Sequence, residues 1–337
     1  MMKVVVDGFG GDNAPLAVLQ GSAMAVKEYG ASIIVTGDEA VLKRTAEENG
    51  ISLEGIVIHH TDDVIEVCDD PTSIVKEHQN SSMAVAMKLL ADGEADAFVS
   101  AGSTGAVVVG ASLIVKRLKG IKRASIATII PSQTGCFILA DAGANLECRP
   151  EMLTQFAMMG SIYMNRIMGI DNPRVGLVNV GEEETKGRDL QLETYSLLQN
   201  SKMNFVGNVE ARDIPLGKAD VVVADGFTGN VILKLTEGLA KFLMSNIKDI
   251  FMGSLGGKLA AALVMKDMKQ FKQKMDYKEY GGAPLLGSAK PVIKAHGSSD
   301  GYAYKNAIRQ ACEFAEKDVN GEIIKALQAQ KEAEKSL

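Results

Sequence analysis

One pattern constrains this chain more than any other: short β-branched runs that each end in a Gly/Asp/Asn/Ser turn, most of them leading into a helical stretch. Lys3–Val6 stops at Asp7-Gly8-Phe9-Gly10-Gly11-Asp12-Asn13, and a helix follows through Tyr29. Ser32–Val35 stops at Thr36-Gly37-Asp38, with a helix through Asn49; Ile56–His59 is a third strand. Ala97–Val99 stops at Ser100-Ala101-Gly102-Ser103-Thr104-Gly105. Ile126–Ile130 and Phe137–Ala140 read as an antiparallel hairpin whose second strand runs into Asp141-Ala142-Gly143-Ala144-Asn145. Arg174–Val178 stops at Asn179-Val180-Gly181-Glu182, Phe205–Val206 at Gly207-Asn208, and Val221–Ala224 at Asp225-Gly226-Phe227-Thr228-Gly229-Asn230. Strands alternating with helices predict an α/β fold in three α/β/α layers, with a mostly parallel sheet covered on both faces. Ligands of such sheets sit at the carboxyl ends of the strands, so five polar turns are expected on one rim.

The alternation fails between Leu235 and Tyr280, where only helical signal remains and Gly253–Gly257 separates two arms. We read residues 235–280 as a helical hairpin inserted into, or projecting from, a single α/β/α domain spanning 1–337. In its second arm Leu259, Leu263, Val264, Met268, Phe271 and Met275 recur at helical spacing. Lys258, Lys266, Lys269, Lys272 and Lys274 stand there against one acid, Asp267. Such a helix fits an anionic membrane surface or an acidic partner. It equally fits an apolar stripe packed on the body or across a dimer interface.

Bulk properties remove several function classes. The net charge is −6, aromatic residues make up 5% and Trp is absent, so neither the basic footprint nor the stacking platforms of a nucleic-acid binder are present. Cys68, Cys136, Cys148 and Cys312 are scattered without CxxC spacing, which argues against a zinc site, a redox dithiol or a disulfide framework and fits a reducing cytoplasm. The first residues read as a strand entering a turn, not a signal peptide, and no run reaches the roughly 18 apolar residues of a membrane span.

The chemistry sits in the turns. Ser100–Ala106 ends a strand in small and hydroxylated residues and opens a helix, so free N–H groups and the positive dipole end face outward. Gly102 and Gly105 permit close approach of a ligand, and Ser103 and Thr104 add hydroxyls; an ordinary N-cap explains this single turn equally well. In Gly181–Gly187 the acids Glu182, Glu183 and Glu184 suit a helix start, whereas Lys186 opposes the dipole there, a conflict that an anionic substrate resolves. Asn230 can polarise a carbonyl or donate to an oxyanion, the alternative being that Thr228 or Asn230 merely caps the following helix. His296, beside Gly297, Ser298 and Ser299, is the candidate among four histidines; His59, His60 and His78 read as structural or surface residues. Neither GxGxxG, a Walker A motif nor a G-x-S-x-G elbow occurs, so nothing points specifically to a nucleotide or an acyl-serine.

Taken in order, Asp7-Gly8 with Gly10-Gly11-Asp12, Ser100–Ala106, Asp141–Asn145, Asn179–Glu182 through Lys186-Gly187, Asp225–Asn230, Tyr280–Gly287 and Lys294–Ser299 resemble the PlsX family of bacterial acyl-[acyl-carrier-protein]:phosphate acyltransferases over nearly the whole chain. Phe9 and Ser103 stand where the family commonly has Met and Asn, and an extra Met1 precedes the usual start. The resemblance implies a Rossmann-like fold related to phosphotransacetylases and the isocitrate-dehydrogenase-like group. It implies a homodimer at the inner face of the cell membrane that moves a long acyl chain from acyl carrier protein to inorganic phosphate. The product feeds a glycerol-3-phosphate acyltransferase, itself a candidate partner, and no cofactor or metal is required. On this reading Lys186, Asn230 and His296 are catalytic. Gly102, Ser103, Thr104, Gly105, Asn145, Thr228, Gly229, Ser298 and Ser299 bind phosphate, and Asp7, Gly11, Asp12, Asn179, Glu182 and Asp225 complete the substrate site. Lys258, Leu259, Leu263, Lys266, Lys269 and Phe271 then contact membrane or carrier protein.

Overall fold

The computed structural model describes residues 2–275 and 277–335. Its strands are β1 (Lys3–Asp7), β2 (Ser32–Gly37), β3 (Ile56–His60), β4 (Ala97–Ser100), β5 (Ser125–Ser132), β6 (Gly135–Ala140), β7 (Arg174–Val178), β8 (Asn204–Val209), β9 (Val221–Val223), β10 (Ala283–Leu286) and β11 (Val292–Lys294). The helices are α1 (Leu16–Tyr29), α2 (Glu39–Glu48), α3 (Ser82–Ala91), α4 (Thr104–Gly110), α5 (Pro150–Arg166), α6 (Asp189–Gln199), α7 (Gly226–Met252), α8 (Leu255–Met275), α9 (Gly301–Glu316) and α10 (Val319–Lys335).

The strands form one sheet in the order β3-β2-β1-β4-β11-β10-β5-β6-β9-β7-β8. Alternation sorts the side chains of β1 and its neighbours to two faces. Val4, Val6, Ile33 and Val35 pack with Val18 and Leu19 of α1 and Tyr304 and Ile308 of α9. Val5 and Phe98 point the other way, to Met83 and Met87 of α3 and Val107 of α4. That second core is continuous with Leu139, Val222 and Ala224 across the sheet, where Ile232 and Leu233 of α7 pack against it. Phe156, Met159 and Tyr163 of α5 cover the opposite face there, against Ile138, Val221 and Val223. Hence α4 and the start of α7 share one side of the sheet.

Strand direction corrects the expectation of a single parallel rim. β1, β2, β3, β4 and β11 are mutually parallel, and so are β6, β7, β8 and β9. Between them β11–β10, β10–β5 and β5–β6 are antiparallel, three reversals that turn the second set against the first. Lys294 lies opposite Ser100 and Ala283, Leu285 opposite Ile126, and Ala127 opposite Ala140. The two sets therefore end within a residue or two of the same row, running toward each other. The polar turns meet head-on at this seam instead of lining one edge.

The β5–β6 hairpin forms as the sequence predicts. β10 and β11 lie where the sequence reading saw only turn chemistry, and Gly207-Asn208 falls inside β8, where the register with β7 shifts, instead of ending the strand. The region without strand signal is helical, α7 packing on α8.

Candidate active site

On the first side of the seam the turns are tied together from beneath. Asp7, 1% exposed, accepts from the Ser82 hydroxyl at 2.6 Å, the Ser100 hydroxyl at 2.7 Å and the Phe9 N–H at 3.3 Å. Burial pushes its carboxyl above the usual range, against these donors and Lys294. Ser100 in turn accepts from the Gly102 N–H at 2.9 Å, so Asp7 acts through Ser100 on the backbone of the Ser-Ala-Gly-Ser-Thr turn. The Gly10–Asn13 loop is tied to the turn after β11: Asp12 N donates to Gly297 O at 2.8 Å, and Asn13 Nδ2 to the carbonyls of Ser298 and Ser299 at 3.3 and 3.2 Å. Gly11 has φ +100°, and a Cβ there would stand 2.8 Å from that of Ala101, so a side chain is excluded on both grounds. Ser103 caps α4 through Ala106 N at 3.4 Å, the plain role weighed from sequence; Thr104 beside it is exposed, and Gly105 packs under Pro71.

His296 is partly buried in this group. Its Nδ1 accepts from Ser298 N at 3.2 Å, with the Ser298 hydroxyl at 2.9 Å, which leaves Nε2 as the proton-bearing nitrogen of the neutral ring. Burial holds the ring below the ordinary histidine range; Glu237 opposes this, while Lys234, Lys294 and Lys241 reinforce it. Three of those groups, Lys234, Glu237 and Lys241, belong to α7 and recur at helical spacing, so this face of α7 is the one whose charges act on His296. The Ser299 hydroxyl is buried and has no hydrogen-bond partner among the described residues.

On the second side Asp141 is fully buried and organises its turn, accepting from Ile126 N at 3.0 Å, Ala144 N at 3.3 Å and Asn145 N at 2.6 Å. Asn145 gives its side-chain amide to Asp141 at 2.9 Å and Ala124 O at 2.8 Å, which commits both N–H groups and leaves only the carbonyl oxygen for a ligand. Asp225 caps α7, accepting Thr228 N at 2.8 Å and the Thr228 hydroxyl at 2.9 Å; neither Thr228 nor Asn230 is the cap. The first turn of α7 sits on the Asp141 turn: Gly226 N donates to Asn145 O at 2.8 Å and Asn230 Nδ2 to Ala142 O at 3.3 Å. One amide N–H of the exposed Asn230 is thereby fixed in direction while the second stays available.

The third loop corrects another expectation. Glu182, Glu183 and Glu184 do not start a helix; α6 begins only at Asp189. Glu182 pairs with Lys218, Glu184 accepts from the Tyr195 hydroxyl at 3.0 Å, and Asn179 Nδ2 donates to Lys186 O at 2.9 Å. Lys186 is exposed, and no hydrogen bond or ion pair joins its side chain to Ser103, Thr104 or Asn230. Arg188, two residues on, reaches Asp225 at 3.4 Å and links this loop to the start of α7. Arg188, Ser82, Ser100 and Lys294 all help build the site; Ser100 and Lys294 stand in turns quoted from the sequence but without an assigned role, and Arg188 and Ser82 are not among the sequence candidates.

On α8, Lys258, Leu259, Leu263, Lys266, Lys269 and Phe271 are all exposed, Leu259 at 69% and Leu263 at 81%. The apolar stripe is therefore not packed on the body of this chain. The side chains of Lys272, Lys274 and Met275 lie outside the described residues. Among the described residues no helix is long and apolar enough to cross a membrane, and no group of three or more His, Cys, Asp or Glu is placed to hold a metal ion.

Solved structures share this architecture at low sequence identity. A phosphotransacetylase from Streptococcus pyogenes aligns with TM-score 0.62 at 19% identity over 94% of each chain. EutD phosphotransacetylase from Staphylococcus aureus aligns with TM-score 0.61 at 18% identity, covering 93% of this chain and 94% of that one. Sequence relatives are much closer. A phosphate acyltransferase of Alkaliphilus oremlandii is 46% identical over 94% of this chain and 95% of its own, and one of Clostridioides difficile is 44% identical over 96% and 97%. Residues 2–322 match the family model described as "Fatty acid synthesis protein". With that match across the chain and relatives of this closeness, the protein belongs to the phosphate acyltransferase family of fatty acid synthesis proteins.

Proposed function

We propose that this enzyme transfers a long-chain fatty acyl group from acyl carrier protein to inorganic phosphate, releasing acyl phosphate for phospholipid synthesis. The observation that carries the reading is the seam itself. Two oppositely directed strand sets end there, and the turns that open α4 and α7, with Ser103 and Thr104 from one set and Asn230 from the other, lie on one side of the sheet. Acyl transfer to phosphate needs two reactants held against each other, and positioning is the larger part of such catalysis.

Phosphate rests on the Gly102–Gly105 turn with Ser298, Ser299, Thr228 and Gly229 around it, and Lys186 neutralises its charge. A phosphate oxygen attacks the thioester carbon, and the free N–H of Asn230 stabilises the tetrahedral oxyanion. The C–S bond then breaks, the carrier thiolate leaves, and the proton that phosphate loses returns to the sulfur. A thiolate leaves readily, so general acid catalysis is a minor requirement and His296 positions phosphate or moves that proton. Asp7, Asp141 and Asp225 act from beneath by shaping the turns.

A long acyl chain is favoured over a short one by the exposed apolar residues along the hairpin, Leu235, Leu239, Phe242, Leu259 and Leu263. Beside Lys258, Lys266 and Lys269 they suit an anionic membrane surface or the acidic carrier protein. Peripheral attachment at the inner face of the membrane, a homodimer, and hand-over to a glycerol-3-phosphate acyltransferase belong to the same proposal.

The test compares palmitoyl carrier protein with acetyl-coenzyme A as donors, following phosphate-dependent thiol release. Turnover with the carrier protein alone supports the reading. Preference for acetyl-coenzyme A would replace it with short-chain acyl transfer, and absence of phosphate-dependent release with either donor would leave a membrane scaffold.

A further inference from the structure

We propose that Lys294 is a positioning residue for acyl transfer: its buried ammonium ties the Ser100–Thr104 turn to the Ala295–Ser299 turn, and the charged form is the one that holds both in place. The inference rests on the reading of this seam as the acyl-transfer site.

Lys294 is the last residue of β11 and lies opposite Ser100 in the sheet register. Its side chain folds beneath the two turns and is 9% exposed. Nζ donates to Ala101 O at 3.3 Å, within the first turn, and to Ala295 O, at the start of the second. The same first turn is gripped from the other side by Asp7 through Ser100 and the Gly102 N–H. A cation and, through Ser100, an anion thus act on the two ends of one peptide unit, Ala101 C=O and Gly102 N–H, and the cation also reaches the second turn.

The groups facing Lys294 come from every surrounding element. Asp7 on β1 and Asp12 on the loop after it attract the ammonium, and Lys234 on α7 repels it. His296 follows on the same turn, and the Tyr304 hydroxyl of α9 donates to Gly10 O, its phenol pushed well up by burial near Asp7. Burial outweighs the two carboxylates and brings the Lys294 ammonium down to about 8. The neutral amine above that pH retains two donors but loses charge assistance, which roughly doubles a hydrogen bond of this kind, and loses its attraction to Asp7 and Asp12. A phosphate anion held on the turns favours the ammonium and moves its titration upward.

The experiment measures acyl-phosphate formation by wild type, Lys294→Arg and Lys294→Met from about pH 6 to about pH 10, separating kcat/KM for phosphate from kcat. Wild-type kcat/KM should fall on the alkaline side with a midpoint near 8, and the kcat limb should lie higher because phosphate is bound. Lys294→Arg keeps a charge throughout and should lose that limb, with kcat/KM within about tenfold of wild type below it. Lys294→Met should lose about 100-fold with no limb, the penalty of displacing a loop by about 1 Å. A Lys294→Met or Lys294→Arg profile superposable on wild type overturns the proposal. In parallel, amide hydrogen exchange should rise together at Gly102 and at Ser298–Ser299 in Lys294→Met while Val35 in β2 stays protected; unchanged exchange at both turns also overturns it. Should Lys294→Met not fold, wild type and Lys294→Arg decide. Should wild type form no acyl phosphate, the acyl-transfer reading fails by itself, and hydrogen exchange still decides whether Lys294 ties the turns.

Discussion

Replacing Gly229 by Ala tests whether α7 must lie directly on the Asp141 turn. A Cβ at position 229 would stand 1.8 Å from Asp141 O, 3.0 Å from Asp141 C and 3.4 Å from Ala142 Cα, all backbone atoms that cannot rotate away. Ordinary C···O contact begins near 3.3 Å, so the first turn of α7 has to retreat by roughly 1.5 Å. Such a shift breaks Gly226 N to Asn145 O and Asn230 Nδ2 to Ala142 O, at present 2.8 and 3.3 Å. Two hydrogen bonds at about 1 kcal/mol each, set against about 1 kcal/mol gained from the better helix propensity of Ala, give a net loss of about 1 kcal/mol. The effect on turnover is larger, because moving Asn230 by this distance costs about 100-fold or more. Gly238 on the same helix is the internal control: nothing lies within 4 Å of its Cβ position, so Gly238→Ala should stabilise the protein by up to about 1 kcal/mol and leave turnover unchanged. Urea unfolding and acyl-phosphate formation would be measured on both variants. Wild-type turnover in Gly229→Ala, or equal stability effects at the two positions, would refute the close docking of α7 on the Asp141 turn.

Lys186→Ala should abolish acyl-phosphate formation while changing stability by no more than about 0.5 kcal/mol, since its side chain is exposed and makes no hydrogen bond or ion pair among the described residues; wild-type turnover would remove it from the mechanism. Arg174 grips Asp220 through Nε at 3.0 Å and Nη2 at 2.8 Å; although burial alone would raise the Asp220 carboxyl, this grip holds it below the ordinary range. A depressed carboxyl contributes stability that is present above the unfolded value and lost as pH falls through the folded one. Arg174→Gln should therefore cost about 1–2 kcal/mol at neutral pH, and the difference from wild type should shrink in acid, as followed by urea unfolding at several pH values. Leu259→Asp combined with Leu263→Asp should reduce flotation with anionic vesicles by at least about 100-fold, because each buried Leu is worth about 1.5–3 kcal/mol; unchanged flotation would point to another surface.

Much of this fold is legible in the amino-acid sequence. β-branched runs bounded by Gly, Asp and Asn marked nine of the strands, and the loss of that signal after Leu235 marked α7 and α8. The polar turns and the family resemblance were equally readable, because small and polar residues at strand ends are a local signal, whereas Ser82 and Arg188 lie outside those turns and carry none. β10 was hidden by its composition, since Tyr280–Gly287 carries more turn residues than strand residues, and β11 is only three residues long between turn segments.

What only the tertiary structure decided follows from that limit. Composition and period say that a segment is a strand, not which way it runs in the sheet. The three antiparallel pairings around β10 and β5 make the two strand sets meet at a seam, where sequence reading expected one rim. Capping was also settled by competition in three dimensions: Asp225 takes the N-terminus of α7, and Glu182–Glu184 find Lys218 and Tyr195 in place of a helix start. Lys294 illustrates the division most clearly. In the sequence it is one lysine among many, and only the fold buries it between two turns and beside Asp7, where its charge has to be accounted for.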